Sequence, residues 1–128
     1  MSRLILIVDD EKAILESLSA ALRDEGYRTS TASSGEQAID KIRSERPDVI
    51  LLDIWMPGID GLETLQRVKA EWPEQMVLVM SGHGTIETAV KAVKMGAYDF
   101  VEKPPSLEKL LVLIGNAISF QSLSRGTC

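Results

Sequence analysis

Asp53 closes the apolar run Val49-Ile50-Leu51-Leu52 and so puts a carboxylate at the end of a segment that reads as a buried strand. Two other runs end in the same way: Leu4 to Val8 stops at Asp9-Asp10, and Met76 to Met80 stops at Ser81. Open α/β sheets bind their ligands outside the carboxyl ends of the strands, so three acids and a hydroxyl would converge on one rim. Carboxylates that close repel one another and raise one another's pKa unless a positive group sits among them. Oxygen donors with no His or Cys beside them favour Mg²⁺. His83 cannot form a zinc site alone, and the single cysteine, Cys128, is the last residue. Lys103, at the end of a further strand-like stretch, is a point-charge partner for a phosphoryl oxygen, and Ser81 can donate to another. A nucleophile (Asp53), a metal ligand (Asp10, with Asp9 acting through water), a cation and a hydroxyl donor together suit phosphoryl transfer. The expected product is an aspartyl phosphate. A lone Asp at a strand end is more often a cap or turn residue, and Asp9 or Asp10 could cap the helix that follows.

The elements that must position these residues alternate between strand and helix. Lys12 to Glu25 carries Ile14, Leu15, Leu18, Ala21 and Leu22 on one helical face and meets Gly26, a left-handed cap residue. Tyr27 to Ala32 reads as a weak strand. Ser34 with Gln37 has the spacing of a capping box, ahead of a helix with Ala38, Ile39 and Ile42 inward. Pro47 turns the chain into the strand ending at Asp53. A loop over 58–61 precedes a helix with Leu62, Leu65, Val68 and Lys69, closed by Pro73. Past Ser81 and a Gly-His-Gly loop, Thr85 is placed to cap a helix carrying Ile86, Ala89, Val90 and Val93, ending at Gly96. Asp99 to Glu102 is a short strand. Ser106 then caps a last helix whose buried stripe is Leu107, Leu110, Leu111, Ile114 and Ile118, with Val112 and Leu113 off it. Five strands and five helices in alternation imply an α/β fold with a parallel sheet and helices on both faces. The flavodoxin-like order 2-1-3-4-5 is the common solution at this size, with its switch point between the strands ending at Asp9-Asp10 and at Asp53.

The bulk numbers agree with one soluble domain. The chain has 128 residues, 45% hydrophobic and 26% charged, with no repeat, low-complexity segment or internal boundary. A net charge of −5 argues against direct nucleic-acid binding by this domain. No apolar stretch approaches the ~20 residues of a membrane span, and the start is too short in its apolar part for a secretory signal. With one cysteine, no intrachain disulfide can form, and a cytoplasmic setting is expected.

Four segments taken together resemble a family. Val8-Asp9-Asp10-Glu11, Asp53-Ile54-Trp55-Met56-Pro57-Gly58-Ile59-Asp60-Gly61, Ser81-Gly82 and Lys103-Pro104, in that order and spacing, resemble the receiver domain of a bacterial two-component response regulator, with its CheY-like fold, over residues 3 to 120. The resemblance implies that Asp53 takes a phosphoryl group from the phosphohistidine of a sensor histidine kinase. It implies Mg²⁺ held by Asp10, Asp53 and the backbone carbonyl of Trp55, with Asp9 behind them. It implies a switch pair, Ser81 and Phe100, in which the hydroxyl moves to the phosphoryl group and the ring turns inward, and a cis bond at Lys103-Pro104. Trp55 and His83, each two residues past a site residue, are expected to set the lifetime of the phosphoryl group. The segments 81–90 and 96–104 look like the nitrogen-regulation class, whose members carry a sigma-54-activating ATPase domain and a helix-turn-helix domain for transcription regulation. No Walker loop or basic recognition helix is in this sequence, so the expectation is a receiver over 1–120 and the start of a linker or a tail over 121–128.

The resemblance also points to a homodimer through helix 4, strand 5 and helix 5. By this reading the domain is not an enzyme and acts only on its own phosphoryl group. A haloacid-dehalogenase-type phosphatase, the main alternative, wants a second Asp two residues after the nucleophile, where this chain has Trp55. A phosphorylation-independent interaction module is the other; such domains usually lose an acid or the lysine, and this chain keeps them.

Overall fold

A computed structural model describes residues 3–54, 61–82, 86–103 and 105–126, with side chains for all of these except 86 and 121–126. The expected loop at 58–60, the cap Thr85, His83, Trp55, Pro104 and Cys128 lie outside the described residues. Among those described, the order is β1 (Leu4–Val8), α1 (Lys12–Asp24), β2 (Arg28–Ala32), α2 (Gly35–Glu45), β3 (Val49–Asp53), α3 (Gly61–Glu71), β4 (Met76–Ser81), α4 (Ile86–Lys94), β5 (Asp99–Glu102) and α5 (Leu107–Gly126). The strands form one parallel sheet in the order β2-β1-β3-β4-β5, as the alternation and chain length predict.

The three central strands are buried at every position, which is why their sequences are unbroken apolar runs and not alternating ones. Successive side chains go to opposite faces. Leu6, Val8, Ile50, Leu52, Val77 and Val79 pack with Ala38 and Ile42 of α2, Leu65 and Val68 of α3, and Ala92 of α4. Ile5, Ile7, Leu51, Leu78 and Met80 pack with Leu15, Leu18 and Leu22 of α1 and with Leu110, Ile114 and Ala117 of α5. Helices α1 and α5 thus cover one face and α2, α3 and α4 the other. The chain changes face between α1 and α2, so the carboxyl ends of β1 and β3 open on an uncovered crevice.

Local signals end the helices much as their residues require. After α1 the chain turns at Gly26 with φ +95°, and Tyr27 and Gly26 donate to the carbonyls of Leu22 and Arg23 at 3.1 and 3.0 Å, a Schellman closure. Ser34 caps α2 by accepting from the Gln37 N–H at 3.1 Å. The reciprocal arm reaches one residue further back than a capping box requires, with Gln37 Oε1 accepting from the Ser33 N–H at 2.6 Å. Ser106 caps α5 through its hydroxyl, which accepts from the Lys109 N–H at 3.4 Å.

Three expectations need correction, at Gly61, Leu107 and Leu113. Gly61 is the first residue of α3, not the last of a loop; the helix ends at Glu71, just ahead of Pro73 as expected. Lys69 closes that end by donating from Nζ to the carbonyls of Pro73 and Gln75 at 2.6 and 2.8 Å. On α4 the buried contacts are the small Ala89 and Ala92, while Val90 and Val93 are exposed. On α5 Leu110 and Ile114 are buried and Leu111 and Ile118 pack against the core as expected, joined by Ala117, and Val112 is 58% exposed; Leu107 is exposed and Leu113 packs against the core, the reverse of expectation. On α4 the buried positions are small alanines, which let that helix sit close to the sheet with Val90 and Val93 outward.

Gly61 has a specific cause. A Cβ there would stand 2.2 Å from the Cα of Ile54 and 2.5 Å from the carbonyl oxygen of Asp53, backbone atoms that cannot yield. The start of α3 therefore lies directly against the end of β3. Gly61→Ala is expected to cost about 3 kcal/mol, the upper range for overpacking. Gly115→Ala, where a Cβ meets nothing within 4 Å in the body of α5, is expected to add roughly 0.5–1 kcal/mol. Urea unfolding of the two variants checks both signs.

Candidate functional site

Four strand ends meet at the crevice. Asp9 follows β1, is fully buried, and its N–H donates to the Ala32 carbonyl at 3.1 Å, extending the pairing with β2. Its Oδ1 accepts from the Glu11 N–H at 2.9 Å, so Asp9 fixes the turn into α1 without itself being the N-cap, which is Glu11. Asp10 lies between them and is exposed. Asp53 is the last residue of β3 and is 1% exposed. Register places Asp53 beside Met80 and Ser81 beside Glu102, which brings the ends of β3, β4 and β5 into line.

Lys103 leaves β5 at this rim. Its backbone N–H donates to the Ser81 carbonyl at 2.7 Å, which anchors the residue to the end of β4. Its Nζ then reaches across the sheet to 2.9 Å from Asp9 Oδ2, 3.2 Å from Asp53 Oδ2 and 3.4 Å from Glu11 Oε1. Burial alone would lower the ammonium's pKa, but the facing carboxylates of Asp9 and Asp53 outweigh it and push it above the ordinary lysine value. Lys103 is therefore cationic at neutral pH.

One carboxylate oxygen each from Asp9, Asp10 and Asp53 lies within 4.8 Å of the others. Oxygens on opposite sides of a Mg²⁺ ion stand about 4.2 Å apart, so a small side-chain adjustment brings this set into range. The donors are all hard oxygens and one of them, on Asp10, faces solvent. The residues present therefore fit a small divalent cation. Ser81 is fully buried, and its hydroxyl is directed to the Val101 carbonyl at 3.5 Å, a long contact that is cheap to exchange. Phe100, on β5, is half-buried and packs against the core on the α2–α4 face.

The structure thus brings together Asp9, Asp10, Asp53, Ser81 and Lys103. Trp55, His83 and Pro104 lie outside the described residues. Sequence reasoning gave no role to Glu11, whose carboxylate is the third acid on Lys103. The available signal was its place directly after Asp9-Asp10, at the start of a helix.

Comparison with known proteins gives consistent results. A family model described as "response regulator receiver domain" matches residues 5–115. The "putative response regulator NtrX-like" of Rickettsia felis is 48% identical over 98% of this chain, which spans 27% of that protein. The "nitrogen assimilation regulatory protein NtrX" of Azorhizobium caulinodans is 47% identical over 98% of the chain and 28% of its own length. Among solved structures, the crystal structure of NtrX from Brucella abortus superposes with a TM-score of 0.93 at 41% identity, covering 99% of this chain and 29% of that one. The chain spans under a third of the length of the relatives it matches.

Removal of the ammonium would take from the buried Asp9 and Asp53 the positive charge held beside them. Lys103→Met is expected to destabilise the fold by about 3–5 kcal/mol, as breaking a buried pair does. Adding Asp53→Asn to that variant should recover part of the loss. Urea unfolding of the single and double variants measures both.

Proposed function

The chain belongs to the response regulator receiver domain family, and from that premise we propose that Asp53 is the phospho-acceptor of a signalling switch. Receiver domains are phosphorylated by sensor histidine kinases. The observation that carries the assignment to this residue is the Lys103 ammonium, held 3.2 Å from Asp53 Oδ2 at the carboxyl edge of the sheet.

The step moves one phosphoryl group. An Asp53 carboxylate oxygen attacks phosphorus, a P–O bond forms, and the P–N bond to the kinase histidine breaks. The imidazole leaves as a neutral base when its other nitrogen carries a proton. Lys103 faces the charge that collects on the equatorial oxygens. The Ser81 hydroxyl, released from the Val101 carbonyl, donates to another of these oxygens. Asp10, Asp53 and the carbonyl of Trp55, with Asp9 behind them, would hold Mg²⁺, which when bound supplies the remaining neutralisation of charge. A carboxylate nucleophile without an acid at position 55 suits storage of the group over its release to water. On this reading the domain is no turnover enzyme; it assists only its own phosphorylation and dephosphorylation, with Trp55 and His83 tuning the lifetime.

The signal leaves through Ser81 and Phe100, which sit on adjacent strands β4 and β5. Every exposed large apolar side chain among the described residues is on α4 or α5: Val90, Val93, Leu107, Val112 and Phe120. That distribution supports a homodimer through α4, β5 and α5, favoured by phosphorylation. The names of the relatives support a regulatory output, and the resemblance of segments 81–90 and 96–104 leads us to read it as a transcription-regulating output of the sigma-54-activating class, in the cytoplasm. No helix among the described residues is long and apolar enough to cross a membrane.

A small phosphodonor with Mg²⁺ is expected to add one phosphoryl mass to the wild type and none to Asp53→Ala, read by intact-mass spectrometry. The same gain in the variant contradicts the assignment. Sedimentation with beryllofluoride, a phosphoryl mimic, is expected to shift the wild type from monomer toward dimer.

A further inference from the structure

Lys103 carries three N–H groups and no acceptor. Among the described residues it faces three carboxylates, at 2.9, 3.2 and 3.4 Å. Of these, Asp53 Oδ2 and Glu11 Oε1 accept hydrogen bonds from the ammonium, while Asp9 Oδ2 is held by charge alone, so an arriving phosphoryl oxygen competes with Asp53 and Glu11 for the donors. The three are not held alike. Asp9 and Asp53 are buried at strand ends, whereas the Glu11 side chain is 62% exposed and its contact is the longest. We propose that Glu11 is the exchangeable acceptor on Lys103, occupying one N–H until an oxygen of the phosphoryl group replaces it. This rests on Asp53 being the phospho-acceptor.

The placement of Glu11 supports that role. It holds the N-cap position of α1 with an extended backbone, φ −91° and ψ 110°, yet its side chain makes no capping hydrogen bond. Ser, Thr, Asp or Asn at such a position would ordinarily fold back onto the free helical N–H groups. Here the backbone is fixed by the bond from the Glu11 N–H to Asp9 Oδ1, and the longer side chain crosses to Lys103, 92 residues away in sequence. Glu11 therefore acts through Lys103 as a positioning residue. It keeps the ammonium drawn toward α1 in the resting state, and it competes with phosphoryl oxygens for the same donor.

Two substitutions separate this competition from a general effect of charge. Glu11→Gln removes the charge. Glu11→Asp keeps the charge but is one methylene shorter, and aspartate at an N-cap turns to its own helix. We compare the beryllofluoride affinity of the Mg²⁺-loaded protein, read by fluorine NMR, and the rate of phosphorylation by acetyl phosphate. Both variants are expected to bind the mimic and accept the phosphoryl group about two- to fivefold better than wild type, the scale of an exposed ion pair. A gain in Glu11→Gln alone, with Glu11→Asp like wild type, makes the effect one of net charge and overturns the competition. No change in either variant overturns it as well. Failure of the wild type itself to take up a phosphoryl group instead brings down the reading on which it rests.

Discussion

The arrangement depends on one electrostatic constraint: carboxylates from two strand ends and a helix start are gathered into a space that only a cation makes tolerable. Asp9 and Asp53 are buried, Asp10 and Glu11 adjoin them, and Lys103 is the positive group the structure sets among them. Like charges at this separation cost stability, and in a partly dry crevice water screens them poorly. The single ammonium does not match the surrounding negative charge. That imbalance is what makes the site receptive to a divalent cation. With such a cation bound, an incoming phosphoryl dianion becomes acceptable where bare carboxylates would repel it.

The same lysine ties the site to the rest of the sheet. Its backbone N–H is bonded to the Ser81 carbonyl, and the Ser81 hydroxyl reaches the Val101 carbonyl, so the ends of β4 and β5 are cross-linked beside the acceptor. Movement of the Ser81 hydroxyl toward a new oxyanion would release a contact to β5 itself. Phe100 and Val101 are consecutive on that strand and pack into opposite cores, Phe100 with the α2–α4 side and Val101 with the α1–α5 side. A shift of β5 is therefore felt on both faces of the sheet. The exposed apolar residues lie on α4, which packs on this strand, and on α5, which packs on the neighbouring β4 and β3.

How much the sequence disclosed follows from how local each determinant is. The central strands were legible because burial on both faces demands continuous apolar runs, and their polar terminators marked the rim. Asp9, Asp10, Asp53, Ser81 and Lys103 were found in this way, and the structure gathers them. On α5 periodicity set Leu107 in the buried stripe and Leu113 off it, whereas Leu107, at the first turn of the helix, is exposed and Leu113 packs against the core. Gly61 was read as a loop residue because its requirement is the close approach of the end of β3, which no local pattern reveals. Glu11 escaped notice for a related reason: its partner is set by the sheet order and not by its neighbours in sequence.

The central claim, that Asp53 carries the phosphoryl group, is tested most directly by chemical trapping. An aspartyl phosphate is an acyl phosphate, and borohydride reduces it to homoserine while leaving free carboxylates untouched. The protein treated with phosphodonor and Mg²⁺ and then with borohydride should yield, on peptide mapping, homoserine at position 53 and aspartate at positions 9 and 10. Homoserine at position 9 or 10, or none after a confirmed gain of one phosphoryl mass, would contradict the account.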